Sequence, residues 1–410
     1  MNFSTCRFCN KKLVSFCDLG KSPLANSFLG ENELKIEEPF YPLHAYVCEA
    51  CYLVQLEEIQ SPKDIFQNYA YFSSYSSTWL KHCQEYASSA IKRLDLNKNK
   101  QVIEIASNDG CLLNFFKEKE IPVLGIEPAK NVAKNAEASG IPTVNKFFNS
   151  QLAQELASTQ KQADLLIGNN VLAHVPNLND FIASLKIILK PKGVITLEFP
   201  SLLELMEHNQ FDTIYHEHFS YFSYLTIEKI FTHHGLSLFD VEELKTHGGS
   251  FRIYIQHQKN SDNSISDNIS RIKLREKNHG LDKLDSYHNF SKKVEAVKYQ
   301  LREFLAKTKK SGKNIVAYGA PAKGNTLLNY CGIGADLIDY TVDLNPHKQG
   351  RFLPGTHIPI FHPEKIKRTK PDYLLILPWN IKDEITEQMK CIIQWGGKFI
   401  TPIPEIRVEP

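Results

Sequence analysis

The stretch Val102-Ile-Glu-Ile-Ala-Ser-Asn-Asp-Gly-Cys-Leu-Leu113 decides how this chain is read. The apolar run 102–106 predicts a buried strand, and the apolar spacing over 111–119 predicts a helix. Between them lie Asn108, Asp109 and Gly110, at the carboxyl end of the strand, with Glu104 inside it. In an open parallel sheet that end is where ligands bind. Gly110 lets the backbone approach a ligand closely, and the first turn of the following helix offers unpaired amides. Outward from this unit the alternation repeats. Strands are expected at 123–126, 142–144, 164–168 and 194–200, with helices at 131–139, 151–156 and 178–188 and a further strand at 251–256. Strands separated by helical stretches indicate a parallel sheet with crossover helices.

The strand ends carry the chemistry. Glu127 closes the second strand, where a carboxylate can accept both hydroxyls of an adenosine ribose. Asn169 and Asn170 end a later strand at the same edge. No Gly-x-Gly-x-x-Gly is present, so a dinucleotide pyrophosphate turn is not indicated. An acidic loop, a ribose carboxylate and amides beside an adenine favour S-adenosylmethionine. Its sulfonium is cationic and tolerates carboxylates where a dinucleotide needs a phosphate nest. Ordinary strand-end electrostatics stays open as the alternative for Glu104 and Glu127.

Five of the nine cysteines fall within the first 51 residues, four of them as Cys6-x-x-Cys9 and Cys48-x-x-Cys51. An odd total thinly spread over the rest argues against a disulfide framework. Two Cys-x-x-Cys knuckles supply four thiolates for a closed tetrahedral zinc site, which points to structure and not catalysis. Cys17 is a less regular competitor for a ligand place. A nucleic-acid-binding ribbon is the other option, disfavoured because no basic face accompanies the cysteines. The alternation over 46–56 predicts one strand running through the second pair. Too few apolar residues surround it for an independent core, so a metal staple is useful.

The segment Phe211-Asp-Thr-Ile-Tyr-His-Glu-His-Phe-Ser-Tyr-Phe222 concentrates aromatic and titratable groups. An extended chain points Tyr215 and Glu217 one way and His216 and His218 the other, whereas a turn converges Tyr215, Glu217 and His218. Histidine titrates near working pH and suits proton removal and return. Metal ligation is less favoured, since the two-turn helical spacing of a His-Glu-x-x-His site is missing. His174 lies just beyond another strand end.

A second strand–turn–helix begins at Val316-Ala-Tyr-Gly-Ala-Pro-Ala-Lys-Gly-Asn325. Gly319, Lys323, Gly324 and Asn325 read as a cradle for a diphosphate, while Asp343 at the next strand end leaves a dinucleotide site as a lesser option.

A length of 410 residues suggests two or three domains, and 42% of residues in the apolar class can fill more than one core. With 48 basic and 46 acidic side chains, net charge offers no argument for nucleic acid or an anionic membrane. The apolar runs, Tyr373-Leu-Leu-Ile-Leu-Pro-Trp379 among them, fall short of the roughly 20 residues a membrane helix needs. No basic segment followed by an apolar run opens the chain, so a cytoplasmic location is expected. The expected division is 1–60, a helical connection 61–98, the sheet 99–258, a linker 259–310 whose charged helices form a solvated bridge, and 311–410.

These motifs in this order resemble the three-domain sugar C-methyltransferases that act on nucleotide-linked 4-keto deoxysugars. The resemblance runs from Cys6-x-x-Cys9, Leu19-Gly-Lys-Ser-Pro-Leu-Ala-Asn26 and Cys48-x-x-Cys51, through Glu104–Gly110, Asn170-Val-Leu-Ala-His174 and Tyr215-His-Glu-His-Phe-Ser-Tyr221, to Gly319–Asn325 and Asp343–Gly350. It implies an α/β protein: a small N-terminal zinc domain, a central class I S-adenosylmethionine-dependent methyltransferase domain of Rossmann-like fold, and a C-terminal Rossmann-like α/β domain that helps hold the sugar nucleotide. It also implies His218 as the base, with Tyr215, Glu217 and His174 beside it and one tyrosine from Tyr69 or Tyr71. Implied too are a dTDP-linked 4-keto deoxysugar methylated at C3 and a monomer or weak homo-oligomer. Ala106 departs from the glycine many relatives carry, with an effect expected on loop packing.

Overall fold

A computed structural model describes residues 5–61, 73–75, 77–260 and 262–410. Tyr69 and Tyr71 lie outside the described residues. The strands are β1 (Leu13–Ser22), β2 (Tyr41–Cys48), β3 (Val54–Leu56), β4 (Val102–Ile105), β5 (Val123–Ile126), β6 (Thr143–Val144), β7 (Ala163–Asn169), β8 (Leu189–Pro200) and β9 (Ser220–Tyr221). They continue as β10 (Leu236–Leu244), β11 (Ser250–His257), β12 (Ile315–Tyr318), β13 (Thr341–Val342), β14 (Ile360–Phe361), β15 (Tyr373–Ile376), β16 (Lys398–Thr401) and β17 (Arg407–Glu409).

The quoted stretch becomes β4 and the helix Cys111–Lys117. β4 sits inside a seven-stranded sheet of order β10-β11-β8-β7-β4-β5-β6. Its pairs with β5 and β7 are parallel, and β11 alone runs antiparallel between β8 and β10. Alternate residues serve opposite faces. Val102, Leu165 and Ile167 pack with Tyr86, Leu113 and Phe116, while Ile103, Ile105 and Leu166 join the larger core with Ile182 and Leu185. Strand order reverses at β4, with β5 on one side and β7 on the other. The crevice beyond their carboxyl ends is therefore the place for a ligand.

The N-terminal segment departs from expectation in a useful way. The single strand expected over 46–56 is two strands, β2 and β3, folded back on each other at the second cysteine knuckle. Tyr52 takes a φ of 66°, and the Cys48 amide donates to the Leu53 carbonyl at 3.0 Å. Alternation reports which face a side chain occupies and is blind to a reversal that preserves it. The fold-back brings all four thiols within 4.8 Å of one another. Two separations are 3.6 Å (Cys6–Cys51) and 3.4 Å (Cys9–Cys48), near the edge of about 3.8 Å of a tetrahedron with 2.3 Å metal–sulfur bonds. Cys17 is buried in β1, outside this quartet.

The fourth strand of this small sheet comes from far along the chain: β9 pairs antiparallel with β3, Val54 opposite Tyr221 and Gln55 opposite Ser220. The knuckles also dock on the central domain. Thr226 Oγ1 donates to the Cys51 carbonyl at 3.0 Å, and Asn179 Nδ2 to the Phe8 carbonyl at 3.0 Å.

A third sheet, β14-β13-β12-β15-β16-β17, is parallel except for β17, and its order reverses at β12, just before Gly319. The helix Leu284–Lys310 leading into it is no solvated bridge. Tyr287, Phe290, Val294, Val297, Leu301 and Leu305 form one buried stripe, and Phe290 stacks on Phe16 of β1 at 5.0 Å. A three-and-four spacing of apolar residues persists beneath the dense charge, which covers only the outer face. Its neighbour Asp267–His279 hides a carboxylate too: Glu276 accepts from the Tyr224 and Leu225 amides at 2.6 and 2.9 Å, capping the helix Tyr224–His233.

The metal-binding geometry carries a test. Zinc is expected to copurify at about one ion per chain, and replacing Cys48 and Cys51 together by serine is expected to abolish metal content and cause aggregation. Zinc analysis with light scattering checks this; a metal-free, monodisperse and fully active double variant would exclude a structural site.

Candidate active site

The loop after β4 is built from residues of positive φ: Ala106 (55°), Asn108 (50°) and Gly110 (78°). A Cβ on Gly110 would come within 2.9 Å of Ile141, so glycine is required there for space as well as conformation. Ala106, the departure noted in the sequence, occupies a left-handed position at which glycine is unstrained. The loop is held by its own side chains. Asn108 Oδ1 accepts from the Ser73 amide at 2.9 Å and Asp109 Oδ2 from the Ser74 amide at 3.0 Å. Glu127 accepts from the Asn108 and Ala129 amides at 2.9 and 2.8 Å.

Three carboxylates thus surround one crevice. Glu104 is buried, and burial first, then the charges of Cys111, Glu127 and Asp109, raise its pKa well above the ordinary value. Burial raises Glu127 as well, opposed by its two amides. Among the described residues none of Glu104, Asp109 and Glu127 forms an ion pair, and one oxygen each of Glu104 and Asp109 is buried without a hydrogen-bond partner. Glu198, opposite Asn169 in the sheet, shows the contrast. Burial disfavours its charge, yet His82 at 2.8 Å and Arg252 at 2.5 Å hold it below the usual carboxylate range. The crevice therefore has an acidic side with no paired cation among the described residues. Both polar atoms of the Asn169 amide are likewise buried and unpartnered at the end of β7. A ligand bearing positive charge and a hydrogen-bonding base fits this donor and acceptor set, as S-adenosylmethionine does.

The aromatic and histidine segment resolves as a turn. The His218 amide donates to the Tyr215 carbonyl at 2.9 Å, and the rings of Tyr215 and His218 lie 4.1 Å apart. His174 approaches the same imidazole at 4.8 Å. The turn does not bring Glu217 with them: its carboxylate accepts from Asn26 Nδ2 at 2.6 Å. His216 bonds the Pro42 carbonyl through Nε2 at 3.1 Å. Glu217 and His216 thus pin the turn to the N-terminal domain, which corrects the expectation that Glu217 stands beside the base. Only its carbonyl enters the cluster, bonded to His174 Nδ1 at 2.8 Å.

Each histidine of the cluster faces a carbonyl through Nδ1, His218 meeting that of Thr213 at 3.0 Å. A carbonyl is satisfied only by an N–H, so Nδ1 bears the proton and Nε2 the lone pair. Burial, followed by the charge of His174, holds the His218 pKa well below the ordinary histidine value. Burial likewise lowers His174 to about 4. Both rings are neutral near pH 7, with basic nitrogen atoms.

The C-terminal domain meets this cluster differently from expectation. Gly319 is left-handed and its amide donates to the Val342 carbonyl, while the Ala320 amide donates to Asp343 Oδ2 at 2.8 Å. Asp343 thereby ties the glycine-rich loop to the end of β13, as Glu127 ties the loop after β4 to the end of β5. Gly324 is a packing residue: a Cβ there would fall 2.9 Å from Leu377 Cβ. Asn325 is buried and donates to the Ala25 carbonyl at 2.6 Å. Gly324 thus packs within the C-terminal domain, and Asn325 ties that domain to the N-terminal one. Lys323 differs. Its ammonium lies 2.8 Å from Asn380 Oδ1 and 4.5 Å above the Trp379 ring, and its charge reaches Asp212, His218 and His247.

Several contributors escaped sequence reasoning. Asp212, Trp379 and Asn380 complete the Lys323 environment, Asn26 holds Glu217, and His247 accepts from Asn170 Nδ2 at 3.3 Å. Asp212 and Asn26 lie inside motifs already singled out, and His247 precedes Gly248-Gly249. Trp379 carries no local signal.

Three family models match the chain in succession: a putative zinc binding domain over 6–66, a methyltransferase domain over 79–241 and a C-methyltransferase C-terminal domain over 245–404. The chain is 35% identical over 407 residues to the C-methyltransferase NovU of Streptomyces niveus, covering 98% of this chain and 96% of that protein. Among solved structures, an S-adenosylmethionine-dependent methyltransferase from Mesorhizobium loti aligns with 43% of this chain and 100% of its own, at 12% identity and a TM-score of 0.35. Magnesium protoporphyrin IX methyltransferase (ChlM) from Synechocystis PCC 6803 aligns with 47% of this chain and 88% of its own, at 15% identity and a TM-score of 0.33. No helix among the described residues is long and apolar enough to cross a membrane. Matched over nearly its whole length, the chain belongs to the zinc-containing, S-adenosylmethionine-dependent C-methyltransferases, the family of NovU.

Proposed function

We propose that this enzyme methylates C3 of a dTDP-linked 4-keto deoxysugar in the cytoplasm, through an enolate made by its own base. The observation that carries the reading is His218, whose Nδ1 faces the Thr213 carbonyl while the tilted Tyr215 ring and the edge-on His174 ring pack against its imidazole. Carbon becomes a nucleophile only after losing a proton, and a C–H beside a ketone is acidified enough for an imidazole to remove it.

S-adenosylmethionine, when bound, supplies an electrophilic methyl group on a cationic sulfur. Glu104, Asp109 and Glu127 would hold its charged and ribose ends, with Asn108, Gly110, Asn169 and Asn170 completing the cradle. His218 Nε2 takes the C3 proton, and the C–H electron pair passes into the enolate. The Tyr215 hydroxyl steadies the oxyanion at C4, while His174, its Nδ1 proton given to the Glu217 carbonyl, packs edge-on against the base. Bound in its cradle, the cofactor would supply its methyl group to the enolate carbon, the sulfur keeping the electron pair of the methyl–sulfur bond. Glu217 acts through the turn it anchors. Lys323 is the cation that meets the sugar nucleotide from the C-terminal side, with Gly319 shaping the loop before it and Gly324 and Asn325 holding its helix in place.

Incubating the enzyme with labelled S-adenosylmethionine and a panel of nucleotide 4-keto sugars, then locating the methyl by NMR, tests the reading. A methyl on the ring carbon next to the ketone is expected; one on oxygen or nitrogen overturns it. His218→Ala should bind cofactor normally and lose about 10²–10⁴-fold in turnover, and normal turnover would remove the base. Because burial depresses the His218 pKa, the base is neutral above that value and protonated below it. The acid limb of kcat should therefore lie below the ordinary 6.5.

Two further variants separate the subsites. Glu104→Gln should weaken S-adenosylmethionine binding about 10- to 100-fold by calorimetry while leaving the ligand-free protein about as stable, since a carboxyl that holds its proton is as neutral as the amide that replaces it. Equal affinity would exclude Glu104 from the cradle. Lys323→Ala should raise KM for the sugar nucleotide and flatten its dependence on ionic strength; an unchanged KM at every salt concentration would dismiss the cation.

A further inference from the structure

We propose that Asp212 and Trp379 form an interdomain clamp that positions the base: the Trp379 indole N–H fixes the Asp212 carboxylate, and with it the one-turn helix Phe211–Thr213 that aims the Thr213 carbonyl at His218 Nδ1. The proposal rests on the reading of His218 as the base and adds how its geometry is set from the C-terminal domain.

Trp379 Nε1 donates to Asp212 Oδ2 at 2.6 Å, between a fully buried carboxylate and a buried indole. The next residue supplies the carbonyl on which His218 depends. That short turn, Phe211–Thr213, has little to hold it by itself. Gln210, just before it, donates to the Gly248 carbonyl at 2.7 Å, and Thr326 donates to the Ile214 carbonyl, just after it, at 3.2 Å. Trp379 meets two of these, Asp212 through its N–H and Gly248 through its ring. A Cβ on Gly248 would fall 2.5 Å from the indole, so that glycine exists to let the ring in.

A carboxylate is a costly choice for such a place. Burial pushes Asp212 up to about 6, against the Lys323 charge and the Trp379 bond, and its Oδ1 has no hydrogen-bond partner. A packed apolar residue would join the domains at lower cost. What a carboxylate adds is one short, directional bond, and direction is what the Thr213 carbonyl needs. If the clamp opens, Nδ1 loses its acceptor, the imidazole is free to adopt the other tautomer, and water reaches the ring. The titratable and charged groups facing His218 are His174, Tyr215 and Tyr221 beside it, His247 from the loop after β10, and Lys323 from the helix Ala322–Cys331. None of these is removed by changing the clamp.

Trp379→Phe deletes the N–H together with the far edge of the indole that meets Gly248, and Asp212→Ala removes the same bond with the indole left in place. The kcat of Trp379→Phe should fall about 10- to 100-fold, with KM for S-adenosylmethionine within about threefold, and its acid limb should move up toward the ordinary histidine value near 6.5. Asp212→Ala should do the same, the double variant should be no worse than either single one, and Asp212→Asn, which keeps an acceptor oxygen for the indole, should restore most of the turnover and the original acid limb. Circular dichroism verifies folding, and if Trp379→Phe does not fold, the Asp212→Asn and Asp212→Ala comparison decides alone. Wild-type kcat, additive losses, or a loss with the acid limb unmoved would overturn the clamp. Normal turnover by His218→Ala would instead remove the base itself, so the two failures are distinguishable.

Discussion

The segment 211–222 cannot hold its own shape, and the rest of the molecule is organised around holding it. It contains a one-turn helix, a turn and a two-residue strand, none long enough to be stable alone. Its conformation is imposed from outside, by backbone pairing and by side chains together. The Leu56 amide reaches the Phe219 carbonyl at 3.0 Å, and the Phe219 amide reaches the Ala173 carbonyl at 2.7 Å. One bond goes to the cysteine-knuckle domain and the other to the central sheet. The C-terminal domain adds Thr326 and Trp379. The three sheets thus converge on one strip of chain, and the metal-binding quartet sits one short strand away from it.

Electrostatics divides the interior between two tasks. Where a carboxylate is structural, the protein supplies its partner: Glu198 has Arg252 and His82, and Glu276 has two helix amides. Around β4 the partner is missing among the described residues, and Glu104 is left with its proton held tightly. A buried, repelled cluster destabilises the ligand-free fold and is relieved by a cation. The histidines follow the opposite logic. Burial and the nearby Lys323 charge both disfavour a further cation, so the imidazoles stay neutral, each with its tautomer chosen by a carbonyl. An acidic wall for a cation and a neutral base for a carbon acid are compatible neighbours because only one of them carries charge.

Errors of the sequence reading share a cause. The strand expected over 46–56 doubled back, since alternation does not register a knuckle that preserves facing. The charged helix Leu284–Lys310 proved to bury a full stripe, because charge density says how wet the outer face is and not whether an inner one exists. Glu217 and Asn325 have the residue types of a site yet serve the joints between domains, and Gly324 makes room for packing within its own. A motif records that a residue is constrained, and a joint constrains as tightly as a substrate does.

By itself the sequence determined what depends on neighbours in the chain. Strand–loop–helix periodicity, a glycine at a left-handed turn, carboxylates at strand ends and two cysteine knuckles are all local, and each is dictated by backbone geometry or metal coordination within a few residues. Only the tertiary structure decided which groups face one another across domains: Asn26 with Glu217, Trp379 with Asp212, Lys323 with the histidines. Such pairings span up to 191 residues. They follow from how three separately folded sheets bury their remaining surface together, a property of packed shapes that no periodicity in the chain encodes.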